Sequence, residues 1–314
     1  MSSERIPDFI PLKRLPKNGV IGVFAPSSPV EFDKLERGVK YLESLGYRVE
    51  TTPSCYASDA YLSGSGQMRA KDLMYLLENP NIDAVFSTRG GFGSILMLPF
   101  LDFEKIKSAR KMIVGFSDVT ALQWAIWKKT GLMSISGGMV GTDMSNIPID
   151  QQFEHYFWKL IETGLVDIPL QSYEKASIEK EGFSLPGTVS VAAMLLGSEY
   201  FPDTAKSILI LEDVYEPRHK MEAYLQQFKL AGVYKNASAV ILGEFSPAPK
   251  EEYPEIPEMK TVFLRAFEGF KNPVVDQFDY GHIPGKISLP VGARLSVSLG
   301  VQSSLKSRHS IFSR

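Results

Sequence analysis

Cysteine is almost missing from this chain: Cys55 is alone among 314 residues. An intramolecular disulfide framework is therefore excluded. Histidine is scarce, with four copies (His155, His219, His282 and His309) and no HxxxH or CxxC pair at ligand spacing. No metal site and no cofactor are expected on that ground. Neither sign of charge prevails, since 34 basic and 36 acidic residues leave a formal net charge of −2. That balance counts against the basic face that nucleic-acid binding requires. Long apolar runs are missing as well, and no stretch approaches the roughly 18 residues of a membrane span. Met1 to Lys17 carries charges and three prolines instead of the apolar segment of a signal peptide. The expectation is a cytoplasmic protein with neither membrane nor nucleic acid as partner.

What is present is enough apolar material, 44% of the chain, for one large domain or two ordinary ones. Gly19 to Phe24 (GVIGVF) is a compact apolar run that stops at Ala25-Pro26-Ser27-Ser28-Pro29. Phe32, Leu35, Val39 and Leu42 recur at helical spacing before Gly46. Strand signals return at Tyr47 to Thr51, Ile82 to Ser87 and Lys111 to Gly115, with helical stretches at Met68 to Leu77 and about Asp118 to Lys129. Strands alternating with helices predict right-handed βαβ units in a mostly parallel, doubly wound sheet of the flavodoxin or Rossmann type. One more helix covers Phe153 to Ile161, after which charges, prolines and serines mix without helical period. The expected organisation is an α/β domain over 1–165, a linker over 166–185, and a smaller β-rich domain over 186–314.

Four segments could carry chemistry. In Val114-Gly115-Phe116-Ser117-Asp118 an apolar strand ends in a serine just before a helix. That is the setting of a nucleophile elbow, although Val119 stands where G-x-S-x-G has its second glycine. A serine there also serves as an ordinary helix N-cap. Arg89-Gly90-Gly91-Phe92-Gly93 follows a strand, and its glycines let backbone approach a ligand or simply make a tight turn. Glu212 and Asp213 end an apolar strand, the usual place for α/β sites and also for solvated edge charges. His282 lies in a loop bounded by glycine and proline, where a histidine is either a general base or a surface residue.

Seven segments in order together resemble the LD-carboxypeptidase family of serine peptidases. They are Ala25-Pro26-Ser27-Ser28, Arg89 to Gly93, Gly115 to Leu122, Leu211 to Val214, Leu230 to Val233, Gly243-Glu244-Phe245 and Gly281 to Pro284. The resemblance implies a catalytic triad of Ser117 as nucleophile, His282 as base and Glu212 as the residue orienting it. It implies backbone amides of Gly91 and Asp118 as an oxyanion hole. The implied reaction releases terminal D-alanine from murein tetrapeptides in the cytoplasm, by an enzyme that is commonly a homodimer. Two departures from the family pattern bear on substrate preference: Ser136-Gly137-Gly138-Met139 and Gly187-Thr188-Val189.

Three other readings use the same residues. Relatives in the family include microcin C immunity peptidases, which cleave a peptidyl-nucleotide-like toxin and commonly use an aromatic platform. Here Trp124, Trp127 and Trp158 fall on expected helices, where core packing is expected instead. The scaffold alone is also compatible with a binding protein that has lost catalysis. A nucleotide-binding enzyme is disfavoured, because the first strand ends without a G-x-G-x-x-G loop.

Overall fold

The computed structural model describes residues 9–171, 177–246, 248–249, 253, 255 and 257–313. Its first half alternates strand and helix. β1 (Val20–Phe24) leads to α1 (Phe32–Ser44), β2 (Arg48–Thr51) to α2 (Gly66–Glu78), and β3 (Ala84–Ser87) to α3 (Phe103–Ala109). β4 (Met112–Gly115) leads to α4 (Thr120–Thr130), and β5 (Ser134–Ser136) to α5 (Gln151–Thr163). These five strands lie parallel in the order β5-β4-β3-β1-β2. β1, β3 and β4 are buried at every residue, as parallel strands covered on both faces must be.

The helices show why their sequences fold as they do. α5 begins where the Asp150 carboxylate accepts from the amides of Gln152 and Phe153. It buries Phe153, Phe157, Leu160 and Ile161 on one face and stops at Gly164 in the left-handed region. α4 has no solvent face of that kind, because Thr120 to Trp127 are all buried. It packs against α3 on one side and on second-half elements on the other. Trp124 donates its indole N–H to the Pro186 carbonyl at 2.9 Å. A side chain at position 187 would strike Thr120 Cγ2 at 2.7 Å and the Trp124 ring at 3.0 Å, so Gly187 permits this close approach.

The second half contributes β6 (Asp167–Pro169), β7 (Ile178–Thr188), α6 (Val189–Leu195), β8 (Ser207–Val214) and α7 (Arg218–Leu230). It continues with β9 (Ala239–Ser246), α8 (Met259–Ala266), β10 (Val274–Val275), β11 (Leu289–Val291), β12 (Arg294–Leu299) and β13 (Ser304–Ser307). Its sheet runs β10-β9-β8-β7-β12-β13-β6, parallel from β10 to β7 and antiparallel beyond. β11 departs from it and pairs antiparallel with β5 at the edge of the first sheet.

The segment 166–185, expected as a linker, holds β6 and most of β7. Residues 172–176 within it lie outside the described residues, as do residues 1–8 of the charged N-terminal stretch. β7 hides in the sequence because its first residues alternate half-buried Ile178 and Lys180 with exposed Glu179 and Glu181. Only from Gly182 onward is it fully buried. No helix among the described residues is long and apolar enough to cross a membrane.

Candidate active site

Three loops meet at the carboxyl ends of β1, β3 and β4. After β4 the chain turns sharply, and Ser117 takes φ = +64°, a left-handed conformation unusual for a residue with a side chain. Gly115 makes the turn possible, since a β-carbon there would strike Val119 at 2.5 Å and Ser87 Oγ at 2.8 Å. The serine lies inside the short 3-10 turn Ser117–Val119, whose cap position belongs to Phe116. The next residue anchors the turn: the buried Asp118 carboxylate accepts from Ser27 Oγ at 2.6 Å and from the Ser94 amide at 2.8 Å. Burial holds the Asp118 pKa above its usual range, against the opposing pull of the hydrogen bonds from Ser27 and Ser94.

The glycine loop after β3 lies directly over this turn. A side chain at position 90 would meet Ser117 Cβ at 2.8 Å and Oγ at 3.0 Å, so Gly90 lets backbone reach the serine. Gly91 follows with φ = +114°, and its missing β-carbon leaves room for Ser28 Oγ. The Phe92 amide donates to Ser28 Oγ at 3.1 Å, and its ring is 66% exposed at the lip of the site. Arg89 reaches the carbonyls of Gly90 at 3.3 Å and Pro29 at 3.4 Å. It braces the glycine turn against the loop that follows β1.

Two further side chains arrive from the second sheet. His282 Nε2 stands 3.0 Å from Ser117 Oγ, and its Nδ1 stands 2.8 Å from Glu212 Oε2. A carboxylate only accepts, so Nδ1 carries the proton and Nε2 keeps a lone pair toward the hydroxyl. Glu212 is fully buried at the end of β8, with its other oxygen accepting a hydrogen bond from the Thr188 hydroxyl. Burying a carboxylate this completely requires such partners. The structure therefore brings Ser117, His282 and Glu212 into one hydrogen-bonded chain.

Asp213, the neighbour of Glu212, turns elsewhere. It accepts from the Ser190 amide at 2.7 Å and the Val214 amide at 2.8 Å. Burial and the nearby Glu212 charge push its pKa up to about 7 against the pull of the Ser190 bonds. His155 and His219 pack edge-on against Tyr156 and Tyr253, apart from this chain. Trp124 and Trp127 are buried, and Trp158 is half-buried against Tyr47. Burial pushes the Cys55 thiol up to about 12, which leaves no thiolate for nucleophilic work. Among the described residues no group of three or more His, Cys, Asp or Glu side chains is placed to hold a metal ion.

The residues that hold the histidine carry no chemical signature of their own in the sequence. The two departures noted above both support the chain: Thr188 holds Glu212, and Ser136 Oγ lies 2.8 Å from Tyr280 Oη. Tyr280 belongs to the His282 loop, whose backbone docks on β9 through the Glu244 amide and the Tyr280 carbonyl at 2.8 Å. Gly243 makes room for that carbonyl, which a β-carbon would meet at 2.0 Å. Hydroxyl and glycine positions scattered through the chain carry no local signal of this kind.

Comparison with known proteins gives a consistent picture. The profile of the LD-carboxypeptidase N-terminal domain matches residues 21–137, and that of the LD-carboxypeptidase C-terminal domain matches residues 181–297. A probable murein peptide carboxypeptidase of Bacillus subtilis (strain 168) is 26% identical, over 91% of each chain. A muramoyltetrapeptide carboxypeptidase from Oxalobacter formigenes superposes with a TM-score of 0.84 at 26% identity, covering 92% of this chain and 99% of that one. Microcin C7 self immunity protein MccF, solved in complex with aspartyl sulfamoyl adenosine, superposes with a TM-score of 0.87 at 25% identity. That match covers 97% of this chain and all of the other.

Proposed function

The chain belongs to the LD-carboxypeptidase family, and on that premise we propose that it is a serine peptidase releasing terminal D-alanine from murein tetrapeptides. The observation that carries the reading is the hydrogen-bonded chain from Ser117 through His282 to the buried Glu212. His282 Nε2 takes the hydroxyl proton as Ser117 Oγ attacks the carbonyl of the L-centre that precedes D-alanine. Glu212 fixes the imidazole tautomer and stabilises the imidazolium that forms. The amides of Gly91 and Asp118 receive the oxyanion, each worth about 3 kcal/mol in the transition state. The imidazolium then protonates the leaving amine of D-alanine, and water, activated by the same histidine, hydrolyses the acyl-enzyme.

In this assignment residues 1–165 carry the nucleophile and 186–314 the acid and base. The enzyme works in the cytoplasm, as a homodimer by analogy with the family. The second reading is a microcin-type immunity peptidase acting on an aminoacyl sulfamoyl nucleotide. It is supported by the superposition on a relative solved with such a ligand.

The test is D-alanine release from two tetrapeptides, one with L-lysine and one with meso-diaminopimelate, by wild type and Ser117→Ala. Release by wild type alone is the expected result and identifies the preferred third residue. Wild type inert on both peptides yet hydrolysing aspartyl sulfamoyl adenosine moves the assignment to the second reading. A Ser117→Ala variant as fast as wild type removes Ser117 as nucleophile.

A further inference from the structure

One buried ion pair lies outside the triad and still touches it. Lys286 Nζ stands 2.8 Å from Asp143 Oδ1, with both side chains buried. Asp143 belongs to the short 3-10 turn Asp143–Ser145 in the first half of the chain, whereas Lys286 closes the loop that carries His282. The carboxylate is fully engaged, since its other oxygen accepts from the Met139 amide and the Thr142 hydroxyl, each at 2.9 Å. Burial alone would raise the Asp143 pKa. The Lys286 charge and these hydrogen bonds outweigh it and hold the carboxyl below its usual range.

The ammonium has a second contact. It lies 4.1 Å from the centre of the Phe116 ring, and Phe116 immediately precedes Ser117. Tyr280 and His282 pack on that same ring, with centroids 5.5 and 4.9 Å away. Three residues of the histidine loop thus rest on the residue next to the serine. Gln152 adds a tie from α5, donating to Asp279 and to the Gly285 carbonyl at 2.9 Å each.

A buried ion pair is a poor way to gain stability, because desolvation offsets most of the attraction. It is a good way to fix one geometry, since neither charge tolerates losing its partner. We infer that Asp143 and Lys286 are positioning residues that set the distance between His282 and Ser117 from the nucleophile's side of the cleft. Both are buried and neither belongs to the Ser117–His282–Glu212 chain itself. Glu212 sets the imidazole's orientation from the other side, so the two devices are separable. The inference rests on His282 acting as base toward Ser117, and not on which peptide is cleaved.

The double variant Asp143→Asn/Lys286→Met separates positioning from folding, because it removes both charges and leaves neither one buried alone. Two quantities are read on the full chain. One is the rate at which a fluorophosphonate modifies Ser117, where Oγ bonds to phosphorus, fluoride leaves and His282 takes the proton. The other is the downfield proton resonance of the His282–Glu212 hydrogen bond. The expected result is modification slowed about 100-fold, the effect of a misplacement of roughly 1 Å, with the downfield resonance retained. Lys286→Arg, which keeps a cation for both Asp143 and Phe116, is expected to stay within about tenfold of wild type.

An unchanged modification rate in the double variant overturns the inference. So does loss of the resonance together with the rate, since the pair would then hold the whole histidine loop instead of its spacing. A Lys286→Arg rate as low as the double variant's also counts against it. Slowed modification with the resonance kept, in a protein inert on murein peptides, supports this inference while removing the proposed substrate.

Discussion

Ser117 is held within the first sheet, by its own strand, turn and helix and by the Ser27 and Ser94 bonds to Asp118, whereas His282 rides on a loop secured from both halves of the chain. Gly115, Phe116, Ser117 and Asp118 are consecutive, and the left-handed serine follows from the way β4 runs into α4. The histidine loop instead relies on Ser136, Asp143 and Gln152 from the first half and on Glu212 and Glu244 from the second. A serine held by elements of the first sheet alone keeps its geometry wherever that sheet forms. A histidine placed by tertiary contacts is in position only when the two sheets are docked, so the proposed hydrolysis would be conditional on the complete fold.

Replacing Glu212 by Gln breaks the non-local side at its buried end and has the largest expected effect. The amide oxygen still accepts from Nδ1, but the imidazolium loses its countercharge and the tautomer is no longer fixed. D-alanine release is expected to fall by about 10⁴-fold, as in other triads lacking their acid. A variant within tenfold of wild type would show that the buried carboxylate does not act through His282.

Ser117→Gly probes the local side by stability in place of rate. Glycine adopts the left-handed conformation without a β-carbon penalty, so the variant should gain about 1 kcal/mol in urea unfolding while losing hydrolysis. A loss of stability would mean that the serine side chain, and not the backbone, holds the elbow.

The smallest expected effect concerns Asp213. Its pKa is pushed up to about 7, so the folded chain binds that proton more tightly than the unfolded chain. Its contribution is present below the ordinary aspartate pKa and is lost as pH rises toward about 7. Asp213→Asn should therefore flatten the fall in melting temperature between about pH 4 and about pH 7. An unchanged slope in the variant would assign that fall to other groups, Asp118 foremost.

The same contrast decides what the sequence disclosed. The doubly wound sheet was legible because β1, β3 and β4 are apolar runs ended by glycine, proline and serine, with amphipathic helices between them. The serine turn was legible for the same local reason. β7 was not, since its exposed first half is charged, and β11 was not placed, because its partner β5 lies about 150 residues earlier. His282 and Glu212 stood out only through resemblance to a family. Nothing in Gly281-His282-Ile283-Pro284 distinguishes a base from a surface histidine. Ser136 and Thr188 stood out only as departures from a family pattern, and Asp143 and Lys286 carried no signal, because a hydroxyl or an ion pair acquires its role from a partner far along the chain.

Locating the reactive oxygen tests the central claim most directly. Wild type is treated with a fluorophosphonate, and the modified residue is identified by peptide mass mapping, with His282→Ala treated in parallel. A single phosphonyl group on Ser117, formed far more slowly in His282→Ala, is the predicted result. Modification of another residue, or equal rates in the two proteins, would contradict a serine activated across the two sheets by His282.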